Sequence, residues 1–149
     1  QSLQSYCLHT TLETNSTSFC PKIMYSTDLL SISPKLGMVS MSDEEYAEII
    51  AENINHLHMN MGQDVQLKFV VSESSDDERI SSFVNLVDSK CLTLCSRFNP
   101  HNDVLLMPMG ASREELQRTA PIAAQLAVKN GWRYTPRLHV DLWNNKERT

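Results

Sequence analysis

No run of about 18 consecutive apolar residues occurs in this chain, so a membrane-spanning helix is not expected. No basic-then-apolar segment opens it, and no secretory leader is expected. Positive charge is scarce: 13 Lys and Arg stand against 18 Asp and Glu, a net charge of −5. A general nucleic-acid binder normally carries a basic patch or stripe, so that class is set aside. Cysteine is limited to Cys7, Cys20, Cys91 and Cys95, at irregular spacing. No pair has zinc spacing, and the thiols are read as reduced rather than bridged. The first residue is Gln1 rather than Met, from which a removed or missing N-terminal segment is expected.

What is present is ordinary globular material, with 41% apolar and 21% charged residues. A chain of 149 residues is the size of a single domain. Leu8 to Glu13 reads as a short strand ending in a polar stretch, and Asp28 to Ser33 as a second strand stopped by Pro34. Ser42-Asp43-Glu44-Glu45 is a capping box, followed by Tyr46, Ile49, Ile50, Leu57 and Met61 at helical spacing and Gly62 as a stop. Val65 to Val71 reads as a buried strand. Asp76 or Asp77 caps a helix carrying Ile80, Phe83, Val84 and Val87. Val104 to Met107 is a further strand. Ser112-Arg113-Glu114-Glu115 is a second capping box, opening a helix that ends at Asn130-Gly131 and that Pro121 should kink.

The segment from Gly131 to Thr149 reads as a last strand running into the C-terminus. Side chains alternate along a strand, so Leu138, Val140 and Leu142 would share a core face. His139, Asp141 and Trp143 would share the opposite, ligand-facing side. Strands alternating with helices predict an α/β fold with a mostly parallel sheet.

Several positions carry chemistry. Glu13 stands at the carboxyl end of a predicted strand, the edge where α/β sheets collect ligands. Its plainer reading is a solvated carboxylate. Ser33-Pro34-Lys35 sets a hydroxyl, a rigid turn and a cation at another strand end, which is otherwise a plain turn. Lys68 interrupts an apolar strand, which is costly unless its ammonium finds water or a partner. His56 and His58 are two apart on a helix and do not form a metal pair. Asp76-Asp77-Glu78 is read as a solvated helix start.

The stretches Leu12-Glu13-Thr14-Asn15, Ile32-Ser33-Pro34-Lys35, Leu67-Lys68-Phe69-Val70-Val71, Met107-Pro108-Met109-Gly110 and the tail from Gly131 resemble the 7-carboxy-7-deazaguanine synthases. These are radical S-adenosylmethionine enzymes of the queuosine and deazapurine pathway. The resemblance implies an α/β fold: the C-terminal part of a radical S-adenosylmethionine partial (β/α) barrel, with residues 1–149 as one domain and 131–149 as a strand and tail closing over substrate. It implies conversion of 6-carboxy-tetrahydropterin to 7-carboxy-7-deazaguanine, with S-adenosylmethionine, a 4Fe–4S cluster and Mg²⁺. Glu13, Asn15, Ser33, Lys35 and Lys68 are the implied cofactor-side residues, and His139, Arg148 and Thr149 the substrate-side residues. No catalytic or metal-ligating residue is assigned on this chain. A small pterin-type substrate, a homodimer and a cytoplasmic location are expected, with no nucleic-acid or membrane partner.

The chain departs from the family pattern in places. Ser16 stands where Gly is common, Met109 where Glu is usual, and Asn144 where the tail usually has Gly. Cys91 and Cys95 have C-x3-C spacing, but Phe98 occupies the place of the third thiolate of a C-x3-C-x2-C cluster motif. Cys91 and Cys95 are therefore read as packing residues. The Gly-Gly-rich cofactor loop and the cluster cysteines do not appear, so this polypeptide alone is expected to be inactive. The alternatives are a non-catalytic binding or regulatory protein built on the same fold, or a remnant without a stable fold.

Overall fold

The computed structural model describes residues 8–18, 20, 23, 26–60, 63–91, 98–144 and 146, with the backbone alone at 58–60. Five strands form one sheet: β1 (Thr11–Thr14), β2 (Leu29–Ile32), β3 (Asp64–Val71), β4 (Val104–Pro108) and β5 (Arg133–Tyr134). Every neighbouring pair is parallel, and the strands lie side by side in chain order. Between them run α1 (Asp43–Asn60), α2 (Asp76–Lys90), the one-turn α3 (Pro100–Asp103) and α4 (Arg113–Asn130), and α5 (Leu138–Trp143) follows β5.

Local chemistry explains most of these boundaries. Ser42 Oγ accepts from the Glu45 amide at 3.2 Å, and the Glu45 carboxylate accepts from the Ser42 amide at 2.9 Å, closing the first capping box. The second box is altered: Ser112 Oγ accepts from the Glu115 amide at 3.3 Å, but the Glu115 carboxylate reaches the Ala111 amide at 2.6 Å. Asp76 is not the cap of α2, where Ser75 stands. Its carboxylate instead accepts from the amides of Ser72 and Glu73 and shapes the turn before the helix. Pro121 lies within α4, which continues through it to Asn130. Gly131 then ends the helix at φ 68°, a left-handed conformation that costs glycine little.

The core lies on one face of the sheet. Leu30, Ile32, Val65, Leu67, Phe69, Val71, Val104 and Leu106 point the same way and meet Ile50 and Ile54 of α1, Phe83 and Val87 of α2, and Ala123 of α4. Crossovers of parallel strands are right-handed as a rule, and between successive neighbours that hand places the connecting helices on a single face. Tyr46, Phe83 and Phe69 form a chain of tilted and edge-on rings with centroids 5.6 and 6.1 Å apart. Cys91 packs into this core at 8% exposure, as read from the sequence, whereas Cys95 lies outside the described residues. Met61 and Gly62 also lie outside them.

Two expectations are corrected. Val65 to Val71 is not buried on both faces: exposure alternates, with Gln66, Lys68 and Val70 on the side away from the helices. The tail is not a long strand. β5 has two residues, and Leu138–Trp143 is helical. Leu138, Val140 and Leu142 therefore do not share a core face: Val140 is buried at 1% exposure, while Leu138 and Leu142 are exposed at 61% and 53%. His139 and Asp141 are exposed as well and no longer point the same way.

Candidate functional site at the carboxyl edge of the sheet

The helix-free face of the sheet is polar where it passes β1, β2 and β3. Register aligns Glu13, Ser31 and Gln66 across these strands. Gln66 donates to Ser31 Oγ at 2.9 Å. Lys68, two residues further along β3, shares the face of Gln66. Its ammonium reaches back over β2 to Glu13 Oε1 at 2.6 Å. The Lys68 side chain is 16% exposed and that of Glu13 68%, so a largely buried cation is neutralised by a carboxylate at the rim. The same face continues through Leu105, the register partner of Lys68, to Arg133, the partner of Leu105 on β5.

The loops leaving β1 and β2 are tied together at the carboxyl edge. Ser33 donates its amide to Thr14 O at 2.7 Å. Lys35 Nζ donates to Ser33 Oγ at 3.4 Å. The buried Tyr46 hydroxyl donates to Asn15 O and accepts from the Lys35 amide at 3.4 Å. Burial pushes the Tyr46 phenol up, partly offset by the Lys35 amide, so it stays a neutral donor at neutral pH. Asn15 Oδ1 accepts from the Thr17 amide at 3.3 Å and from its hydroxyl at 3.1 Å. Ser16 between them is fully buried at φ 61°. That left-handed backbone suits glycine. Here Asn53 Nδ2 holds the serine by donating to its Oγ at 2.7 Å.

Two cavities open at the ends of β3 and β4, of about 410 and 380 Å³, and both touch Val70, Ser72 and Met109. The larger lies over the β4–α4 turn and reaches Arg118 and Arg137, and the smaller reaches Pro34, Lys35 and Arg79. Their position at the carboxyl ends of parallel strands is where α/β sheets hold ligands. Arg137 Nη1 donates to Gly110 O at 2.7 Å. Among the described residues its Nε is buried without a hydrogen-bond partner. Such an orphan donor in a cavity wall suits an acceptor group of a ligand.

The structure thus brings Glu13 to Lys68, and Asn15, Ser33 and Lys35 to one another. Of these five, Lys35 lines a cavity. His139 is exposed on α5, whose ends are tied to the turn after β4, and Arg148 and Thr149 lie outside the described residues. Tyr46, Arg113 and Arg137 were missed. Tyr46 carried the pattern of a core residue, and its hydroxyl role depends on loops far away in sequence. Arg137 precedes Leu138-His139, so its position within the tail was the available signal.

The residues fit some implied groups and not others. A hydroxyl, two ammonium groups and the cavities at one edge suit a nucleoside carrying an amino-acid tail. Among the described residues no three His, Cys, Asp or Glu side chains gather as ligands for an iron–sulfur cluster.

A chain-ordered parallel sheet with its helices on one face and its polar groups on the other is an α/β fold consistent with part of a radical S-adenosylmethionine (β/α) barrel. More particularly, the chain is a homologue of the 7-carboxy-7-deazaguanine synthases. It is 34% identical to the 7-carboxy-7-deazaguanine synthase of Halobacterium salinarum over 95% of its own length and 56% of that protein. It is 37% identical to that of Pyrobaculum aerophilum over 52% of this chain and 31% of the relative. It is 27% identical to that of Rhodopirellula baltica over 82% and 47%, respectively. The chain therefore spans about half the length, or less, of these curated relatives. No family model matches it, and neither does any solved structure. No helix among the described residues is long and apolar enough to cross a membrane.

Proposed function

We propose that this chain is the C-terminal, cofactor- and substrate-facing portion of a cytoplasmic 7-carboxy-7-deazaguanine synthase. The intact enzyme would convert 6-carboxy-tetrahydropterin to 7-carboxy-7-deazaguanine with loss of ammonia, in queuosine or deazapurine biosynthesis. The observation that carries this reading is the pairing of Lys68 with Glu13 on the helix-free face and the tying of Asn15, Ser33 and Lys35 in the loops after β1 and β2, in a chain homologous to one such synthase along 95% of its length.

S-adenosylmethionine would supply the radical chemistry when a reduced 4Fe–4S cluster is present, with Mg²⁺ also needed as the resemblance implies. In this reading Ser33 and Lys35 hold the cofactor's polar groups at the edge of β2. Lys68 and Glu13 keep the inner face charge-balanced and oriented. His139, with Arg148 and Thr149 of the tail, binds the pterin. The four cysteines do not provide a cluster motif, so the chain by itself is inactive and turnover needs cluster thiolates from elsewhere.

The test is reconstitution with iron and sulfide, in the polypeptide that carries the cluster cysteines, followed by assay for 7-carboxy-7-deazaguanine. Product that disappears on Lys35→Ala or His139→Ala is expected. No product from a preparation with a full cluster refutes the assignment and leaves a non-catalytic binding protein.

A further inference from the structure

We propose that Arg113 is a positioning residue for the substrate side of the site: it latches α5, and with it His139, onto the start of α4. The inference rests on the reading above that His139 meets substrate.

α5 has little to hold it in place by itself. It is six residues long, below the length at which a helix is stable alone. Val140 is its one buried side chain, and Leu138, Leu142 and Trp143 are each more than half exposed. Polar contacts from outside the helix supply what packing does not. Arg113 Nε donates to Asp141 O at 3.0 Å, and its Nη2 donates to Leu142 O at 3.1 Å. Its backbone amide donates to Asn144 Oδ1 at 2.9 Å. The guanidinium fork thus satisfies carbonyls at the open end of α5, where the helix dipole is negative. At the other end, Arg137 ties the start of the helix to Gly110 O at 2.7 Å. Both ends are therefore fastened to the β4–α4 turn and the first residue of α4.

Without the Arg113 fork, the carbonyls of Asp141 and Leu142 lose their partners, and the helix is held only by Val140, the backbone amide of residue 113 on Asn144 and Arg137 on Gly110. His139 would then sample orientations that the latched helix excludes. The guanidinium is needed as a fork, because a lysine ammonium is a single point charge.

The experiment compares Arg113→Met and Arg113→Lys with the wild type in the reconstituted, cluster-loaded full-length enzyme. Hydrogen exchange of amides 140–144 should speed up at least tenfold in Arg113→Met and by less in Arg113→Lys, with exchange in the body of α4 unchanged. KM for 6-carboxy-tetrahydropterin should rise about tenfold, while S-adenosylmethionine affinity stays within twofold. Unchanged exchange in α5 overturns the latch. Faster exchange with an unchanged pterin KM overturns the positioning role and leaves a structural contact. Absence of turnover in the wild type itself would sink the parent reading, and α5 exchange would still decide the latch.

Discussion

Replacing Tyr46 by Phe separates the two jobs of this residue. The ring is fully buried and packs against Phe83, with centroids 5.6 Å apart, and phenylalanine keeps that contact. What is lost is the hydroxyl that joins Asn15 O to the Lys35 amide and so ties the loops after β1 and β2. Each net hydrogen bond is worth about 0.5–1.5 kcal/mol. Asn15 and Lys35 are exposed, so water can reach their freed backbone groups. The expected cost is therefore about 1–3 kcal/mol, and Tm should fall by about 2–12 °C for a chain of this size. Tyr46→Ala also empties the core and should cost about 3–5 kcal/mol. Urea unfolding followed by circular dichroism reads both variants, and titration with S-adenosylhomocysteine reads the edge. Tyr46→Phe should weaken binding more than its modest stability loss would suggest, because Lys35 is displaced. A Phe variant as stable as the wild type with unchanged binding would refute the tie, and one as unstable as Tyr46→Ala would show that the ring needs its hydroxyl to pack.

Two further outcomes follow from geometry. Gly131→Ala places a methyl 2.8 Å from His101 Nδ1 at a backbone φ of 68°, and should cost more than about 1 kcal/mol, read as a lower urea midpoint at constant slope. Asp77 is held below the ordinary aspartate value of 3.8, chiefly by the Lys129 hydrogen bond, with Asn130 adding to it and burial opposing. Its folded pKa is depressed, so its contribution is complete above the unfolded value and fades as pH falls from about 5 through the folded value. Asp77→Asn should flatten that acid limb in a pH series of melts, and an unchanged limb would show that the clamp between α2 and α4 carries no linkage.

Much of the frame was legible because local rules agreed with tertiary ones. The Ser42 box, the Gly131 stop and the apolar runs of β2 and β4 each act within a few residues. The tail misled because Leu138-His139-Val140-Asp141-Leu142-Trp143 alternates like a strand yet is short enough to become one helical turn and more. The Arg113 contacts that fasten it come from residues 28 and 29 positions away, beyond any local pattern. Glu13 and Lys68 were each legible as charges at odd places, but their pairing depends on the register of β1, β2 and β3. The role of Ser16 likewise needed Asn53, 37 positions on.

The most direct test of the account is calorimetric titration of S-adenosylmethionine into the full chain, wild type beside Lys35→Ala and Ser33→Ala. The account predicts saturable one-site binding that both substitutions weaken by about tenfold or more, of the order of one charge-assisted hydrogen bond. No binding to the folded wild type, or binding indifferent to both substitutions, would contradict the claim that this sheet edge is a cofactor site.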